Sequence, residues 1–478
     1  MPFFVEYFNR IDMLPRHPVF AVALDLGTTS IKAGLLDRNG VLGNLVSCPA
    51  PEISANAGRY ESDALAYAEA AEQLLVNCIA DACDCTSFGM CSQRSSFLVW
   101  QQSTGQPLTA LISWQDNRGS ASCAALHAYR NDIHRISGLP LTPYYFAAKL
   151  RVVLQENPGW LLRLKRGELR AGTLDTFLIW RLTGGRHFIT DASMAARTQL
   201  MDIREQNWSA QLCRLFDIPP EILPEIRTSA GIGLGLDNGL ELQASVGDQS
   251  AALFASVREE QPEALVNLGT GCFAIRYLPD GKLLYDGYLQ TLIYQDGNRL
   301  PHFALEGTLN SVAAALAPYP VDQCRHEDLA VDDIYCVAEP SGLGAPYFRG
   351  DIGIRYSGPV AHLTRQRIAA LLLEAVIFRV ARILEDFSRE CAIERVFLSG
   401  GLSELLCLQQ GIAVCVPFEV HHLHQRESSL NGAALLAAGM EPASHRSSTR
   451  IAVAENAALR KKYLSWKLWL DELLSQAS

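Results

Sequence analysis

The chain has 478 residues, 49% of them hydrophobic and 19% charged, and a formal net charge of −10. That length holds two ordinary domains with separate cores, and the acidic balance argues against a nucleic-acid or anionic-membrane partner, because no basic run exceeds Arg460-Lys461-Lys462. The opening MPFFVEYFNRIDMLPRHP lacks the apolar core of a signal peptide, no run reaches the ~18 uncharged apolar residues of a membrane span, and the 13 cysteines lack CxxC or zinc spacing, so a cytoplasmic protein with reduced, mostly buried thiols is expected.

In chain order, an apolar strand from Phe20 runs into Asp25-Leu26-Gly27-Thr28-Thr29, and a second strand covers Ile31 to Leu36. Asn39-Gly40 is the hairpin signal that follows it. A helix is expected from about Ser62 to Asp81, opened by Ser62 and Asp63. SFGMCSQ and SSFLVW then read as strands, with a turn at Ser103-Thr104-Gly105. A further strand leads into SVGDQS, which carries Asp248 and Gln249. The helix expected from Arg365 to Phe387 places Leu373, Val376, Ile377, Val380, Leu384 and Phe387 on one face, and the strand RVFLSGG ends in Gly400 and Gly401. Alternating strands and helices favour α/β layers.

One design occurs twice, as FAVALDLGTTSIKAGLLDRNG from Phe20 and EALVNLGTGCFAIRYLPDG from Glu263. Aligning the copies sets Gly27 and Thr28 on Gly269 and Thr270, and Asp25 on Asn267. A strand ending in Gly lets backbone N–H groups approach a polyphosphate, and a following Thr adds a hydroxyl donor. Either turn alone reads as a hairpin bend; two in matching context point to a duplicated nucleotide-binding fold. Only the first copy carries an acid, which fits Asp25 for a metal ion and Thr270 for a phosphate. The repeat places the domain boundary near Ser256, giving 1–256 and 257–478, with the ligand site expected in a cleft between the halves.

The ordered segments VALDLGTTSIKAG, GMCSQRSSFLVW, ISWQDNR, PYY, LDTFLIWRLTGG, SVGDQSAALFA, VNLGTGCFAI, ALEGT, GLGAPYF, VFLSGG and LNGAALLAAG make the chain similar to the FGGY family of carbohydrate kinases, most closely its glycerol kinase branch. The resemblance runs from Val19 to about Leu474. It implies two duplicated actin-like (ribonuclease H-like) ATPase domains, with ATP, Mg²⁺ and a small polyol or sugar meeting in the cleft, and domain closure excluding water. It also implies assembly as a homodimer or homotetramer.

By the same resemblance Asp248 is the general base and Asp25 acts on Mg²⁺. Gly27, Thr28 and Thr29 match the first phosphate loop, Gly269 and Thr270 the second, and Gly400 and Gly401 the glycines beside the adenine. Lys32 stands where the glycerol kinase branch has Arg, so a point charge replaces a bidentate fork. Arg94, Trp114, Tyr144, Gln249 and Phe273 fall on polyol-contacting positions. Read without the resemblance, Asp248 is a helix N-cap, Lys32 a solvent-facing lysine and the aromatics core residues. Three departures stand out: Ser95 replaces a Glu of the acceptor pocket, Leu405 replaces an Asn of the adenine site, and the segment from Leu406 to Pro417 is short. Glycerol kinase activity is the leading expectation. A pentulose or other sugar kinase of the xylulokinase type, and a non-catalytic regulatory member, remain open.

Overall fold

A computed structural model describes residues 9–11, 19–80, 85–269, 271–278, 287–424, 427–442, 447–453 and 455–476. The chain forms two compact units. The first comprises the described residues of Met1–Ala255, Thr291–Phe303 and Glu427–Ala443; the second comprises those of Ser256–Gln290, Ala304–Arg426 and Ser444–Ser478.

The first unit is built on a seven-stranded sheet. Its strands are β1 (Asn9–Ile11), β2 (Val19–Leu26), β3 (Ser30–Asp37), β4 (Leu42–Pro49), β5 (Ser87–Ser92), β7 (Ala230–Gly235) and β8 (Glu241–Gly247), in the order β1-β4-β3-β2-β5-β8-β7. Helix α1 (Ala64–Ile79) lies between β4 and β5 in sequence. Asp63 caps it, accepting from the Leu65 and Ala66 amides, while Ser62 ends a short strand, Arg59–Ser62, so only one of the two expected capping residues caps. Strand β6 (Phe97–Gln101) joins a smaller sheet, and helix α2 (Phe146–Glu156) packs Phe146 edge-on to Phe97, ring centroids 4.9 Å apart. Helix α3 (Ala192–Ala196) precedes β7, and α4 (Asp248–Ser256) follows β8 directly.

The second sheet has the order β11-β12-β10-β9-β13-β14-β15. Its strands are β9 (Glu263–Leu268), β10 (Cys272–Tyr277), β11 (Leu289–Gln295), β12 (Pro301–Leu309), β13 (Arg395–Ser399), β14 (Glu419–Leu423) and β15 (Ser448–Arg450). The path β4-β3-β2-β5-β8-β7 is antiparallel at its first two pairings, parallel at the next two and antiparallel at the last. The path β12-β10-β9-β13-β14-β15 repeats that sequence of directions. The duplication read from two short stretches therefore extends to six strands of each sheet. Helix α5 (Arg365–Glu390), capped by Thr364, crosses the second unit with all six expected face residues buried.

Helix α6 (Ser428–Ala438) belongs to the first unit, where it lies against β2, β5 and β8. Two glycines permit that approach. A Cβ on Gly432 would run into the Ala251 carbonyl, and one on Gly89 into the Ala433 carbonyl. Gly432→Ala should therefore destabilise the protein by about 1–3 kcal/mol, the usual cost of overpacking. An unchanged urea midpoint for that variant would mean that α6 can lift away freely. Among the described residues no helix is long and apolar enough to cross a membrane, and every described cysteine is free of a disulfide.

Candidate active site

The first unit gathers the expected chemistry at the ends of β2, β5 and β8. Asp25 stands near the end of β2, directly across the ladder from Lys32. Directly opposed residues project from the same sheet face. Asp25 is buried, and the Cys91 thiol donates to its Oδ1 at 3.3 Å. Burial foremost, then the charge of Asp248, pushes its carboxyl up to about 7, against the Cys91 hydrogen bond and the Lys32 charge, which pull it down.

The Gly-Thr turn that follows is tight. A Cβ on Gly27 would lie 2.6 Å from the Ser30 carbonyl oxygen, and the Gly27 carbonyl accepts from the Tyr67 hydroxyl at 2.7 Å. Thr28 Oγ1 donates to Gln93 Oε1 at 3.3 Å and accepts from the Trp114 indole N–H at 2.9 Å. Thr29 is exposed beside it. The Gly-Thr turn and the Trp114 loop are thus joined side chain to side chain, a link that one-dimensional spacing does not reveal.

Asp248 is the first residue of α4, where the plain alternative anticipated an N-cap. Its Oδ1 accepts from the Gln249 amide at 2.7 Å and lies 3.5 Å from Arg94 Nε. Gly247 makes room for Arg94, because a Cβ there would sit 2.9 Å from Arg94 Cδ. The Gly247 amide donates to Ser193 Oγ at 2.8 Å. Ser193 in turn lies under the cap of α3, where Asp191 accepts from the Ser193 and Met194 amides and from the Ser229 hydroxyl. Burial, against the Ser229 hydrogen bond, raises the Asp191 carboxyl to about 7.

Trp114 and Tyr144 stack at a tilt with centroids 5.3 Å apart. Ser95 is buried in a left-handed conformation (φ 65°), and its hydroxyl donates to the Arg197 carbonyl at 3.0 Å. Beneath this loop Lys149 donates to the carbonyls of Ser95 and Ser113, each at 2.9 Å. The structure thus brings together Asp25, Gly27, Thr28, Lys32, Arg94, Ser95, Trp114, Tyr144, Asp248 and Gln249 within one unit. Gln93, Tyr67, Lys149, Asp191 and Ser193 support them and were not singled out from sequence; Gln93 and Asp191 alone had a visible signal, beside Arg94 and before a short helix.

Gly269, Phe273, Gly400 and Gly401 lie in the second unit. The Gly269 amide donates to the Gly271 carbonyl at 2.9 Å, and Phe273 pairs in register with Asn267. Thr270 lies outside the described residues. Gly400 adopts φ 88°, and a Cβ there would collide with Asn267 Oδ1 and the Leu268 carbonyl, so glycine is required where β9 and β13 meet. Gly401 opens a short 3₁₀ turn, Gly401–Glu404, that Leu405 follows, and the segment beyond folds as a helix, Leu406–Cys415. A buried pair, Arg379 Nε to Glu339 Oε1 at 2.8 Å, holds the loop around Ala345, whose carbonyl accepts from Arg379 at 3.0 Å.

Residues 20–254 match the N-terminal domain of the FGGY family of carbohydrate kinases, and residues 264–440 match its C-terminal domain. The chain belongs to the FGGY family of carbohydrate kinases. This FGGY kinase is similar to "Glycerol kinase 2" of Streptomyces coelicolor, 32% identical over 87% of this chain and 88% of that protein. It is also similar to a glycerol kinase of Trichlorobacter lovleyi, 31% identical over 87% and 89%. Among solved structures, a Plasmodium falciparum glycerol kinase with ADP superposes with a TM-score of 0.81 at 23% identity, covering 95% of this chain and 98% of that one. A Brucella ovis structure described as a xyloylose kinase gives 0.81 at 20% identity, covering 95% and 99%. The fold of this FGGY kinase is therefore the two-domain, actin-like sugar-kinase fold, and the enzyme is a carbohydrate kinase of the glycerol kinase-like type.

Proposed function

We propose that this kinase transfers the γ-phosphoryl group of ATP to a hydroxyl of a small polyol, glycerol or a glycerol-like compound. The observation that carries the reading is the junction in the first unit, where Asp248 lies beside Arg94 and the Trp114–Tyr144 pair is hydrogen-bonded through Trp114 to Thr28 of the phosphate turn. The similarity to proteins named glycerol kinase supports it.

Phosphoryl transfer asks mainly for positioning and charge neutralisation. In this reading Asp248 orients the acceptor hydroxyl and takes its proton. Arg94 and Gln249 hold acceptor oxygens, while Trp114, Tyr144 and Phe273 cover its carbon backbone. Gly27, Thr28 and Thr29 receive the polyphosphate from residues 1–256. Gly269 and Thr270 receive it from residues 257–478, where Gly400 and Gly401 lie by the adenine. Lys32 faces the transferring phosphate.

The residues present fit Mg²⁺. Asp25 is a hard oxygen donor, and this ion needs only one or two carboxylates beside water and phosphate. Among the described residues no three His, Cys, Asp or Glu side chains close on one point as an all-protein cage. Asp25 would hold the ion, which offsets negative charge on the phosphate oxygens when bound.

A second reading, a longer polyol or a ketose as acceptor, is favoured by Ser95. Its hydroxyl is committed to the Arg197 carbonyl, so it supplies a substrate neither charge nor reach. The test is ADP release from MgATP against glycerol, erythritol, xylitol, ribitol, xylulose and ribulose. Turnover with glycerol supports the first reading, turnover only with longer acceptors the second, and nucleotide binding without turnover on any of them counts against both. Ser95→Glu should lower the KM for glycerol by about tenfold, the size expected when a charged hydrogen-bond acceptor worth about 1.5 kcal/mol is restored. An unchanged KM would remove position 95 from specificity.

A further inference from the structure

We propose that Glu427 is a working part of the phosphate site: it holds the Lys32 ammonium in the absence of nucleotide and gives it up when a polyphosphate arrives. The inference rests on the function proposed above, in which Lys32 faces the transferring phosphate.

Lys32 Nζ lies 2.6 Å from Glu427 Oε2, although the two residues are 395 positions apart. Glu427 is not placed there by a floppy terminus. It immediately precedes α6, which is seated on β2, β5 and β8 by the close approaches at Gly89 and Gly432. The Glu427 carbonyl also accepts from the Asn431 amide at 2.9 Å, in the first turn of the helix.

The pair suits a latch better than a staple. Its side chains are 31% and 26% exposed, and a solvated ion pair contributes on the order of 0–1 kcal/mol. Lysine carries its charge on a flexible stem as a point charge, so it can exchange one anion for another. A nucleotide polyphosphate presents several negative charges where Glu427 presents one, and it therefore takes the ammonium over.

The exchange has a consequence for what the site selects. Asp25 feels the negative charges of both Asp248 and Glu427, with Lys32 as a counter-charge, while Arg94 lies beside Asp248. Once Lys32 turns to phosphate, the Glu427 carboxylate is left without that counter-charge, close enough to Asp25 to act on it. A free nucleotide meets that charge unscreened, whereas a magnesium-complexed nucleotide brings cationic charge with it. Glu427 thus penalises nucleotide that lacks its divalent cation, a discrimination by repulsion as much as by attraction.

Calorimetric titration of ATP into the full chain, in excess EDTA and again in excess Mg²⁺, tests this without turnover. The wild type should bind better with Mg²⁺. In Glu427→Gln the affinity in EDTA should rise by about threefold to tenfold, and the preference for the magnesium complex should shrink by a similar factor. On a Lys32→Met background the same Glu427→Gln change should give a smaller gain in EDTA, because no ammonium remains to be released. Acylation of Lys32, followed by peptide mapping, should be faster in Glu427→Gln and be suppressed by ATP in the wild type. Equal magnesium preference in wild type and Glu427→Gln, with both melting alike, overturns the inference and leaves the kinase reading standing. Failure of the wild type to bind ATP under either condition overturns both.

Discussion

Asp248→Asn is expected to keep nucleotide binding and lose phosphoryl transfer by about 10²–10⁴-fold, the range contributed by a positioned general base. The substitution is nearly isosteric, and the contacts that place the residue survive it. An amide oxygen can still accept from the Gln249 N–H, and the Gly247 amide keeps its bond to Ser193 Oγ. What disappears is the negative charge beside Arg94 and the capacity to take a proton. Single-turnover transfer should fall by the same factor as steady-state kcat, while the Kd for ATP changes little. Turnover within a fewfold of wild type would remove Asp248 from the role of base and leave it as a helix-terminal carboxylate that merely orients Arg94.

Local rules account well for what the sequence revealed. Asn39-Gly40 is a turn, with Gly40 at φ 76° and the Asn39 amide bound to Asp37 Oδ1. The helix expected over Arg365 to Phe387 extends three residues further, to Glu390. Such features depend on periodicity and turn chemistry within a few residues. The first Gly-Thr turn was legible for the same reason, and its context in the sheet follows from the strands on either side of it.

The residues that sequence reasoning passed over act across the chain. Lys149 reaches Ser95 and Ser113 from 54 and 36 positions away, and Ser193 receives the Gly247 amide from 54. Nothing in the amphipathic pattern of α2 marks Lys149 as buried, since a lysine among Ala and Leu reads as a solvated helix position. Arg379 misleads in the same way: it is fully buried against Glu339 on a helix whose other charges, apart from the buried Glu374, lie nearer solvent. Buried charges are set by tertiary partners, and those partners are invisible until the fold brings them together.

Lys149→Met is the second substitution expected to have a large effect, and it separates packing from charge. Lys149 is fully buried, its ammonium 5.9 Å from the centroid of the Phe97 ring, and it donates to the carbonyls of Ser95 and Ser113. These carbonyls belong to the residue after Arg94 and the residue before Trp114, so one side chain ties the two loops together. Methionine fills similar space but leaves two buried acceptors without this donor, at about 1–3 kcal/mol each. The left-handed backbone of Ser95 would then lose a restraint that offsets its strain. The KM for the acceptor should rise while the Kd for ATP holds, a split that general destabilisation would not produce. The pH dependence gives an independent reading. Burial pushes the Lys149 ammonium down to about 7 from 10.5, with Asp116 pulling it up and Arg118 down. Between those values the unfolded chain binds more protons than the folded one, so this residue makes stability rise with pH. Below about 7 the full penalty of burying the charge is present in the wild type; above it the neutral amine still offers two N–H donors. From pH 7 to 9 the wild type should therefore gain stability over Lys149→Met by up to about 1.4 kcal/mol per pH unit. Urea unfolding midpoints that run parallel for the two proteins across this interval would mean that Lys149 keeps its proton when folded, and that the two carbonyls solvate the charge well enough to offset its burial.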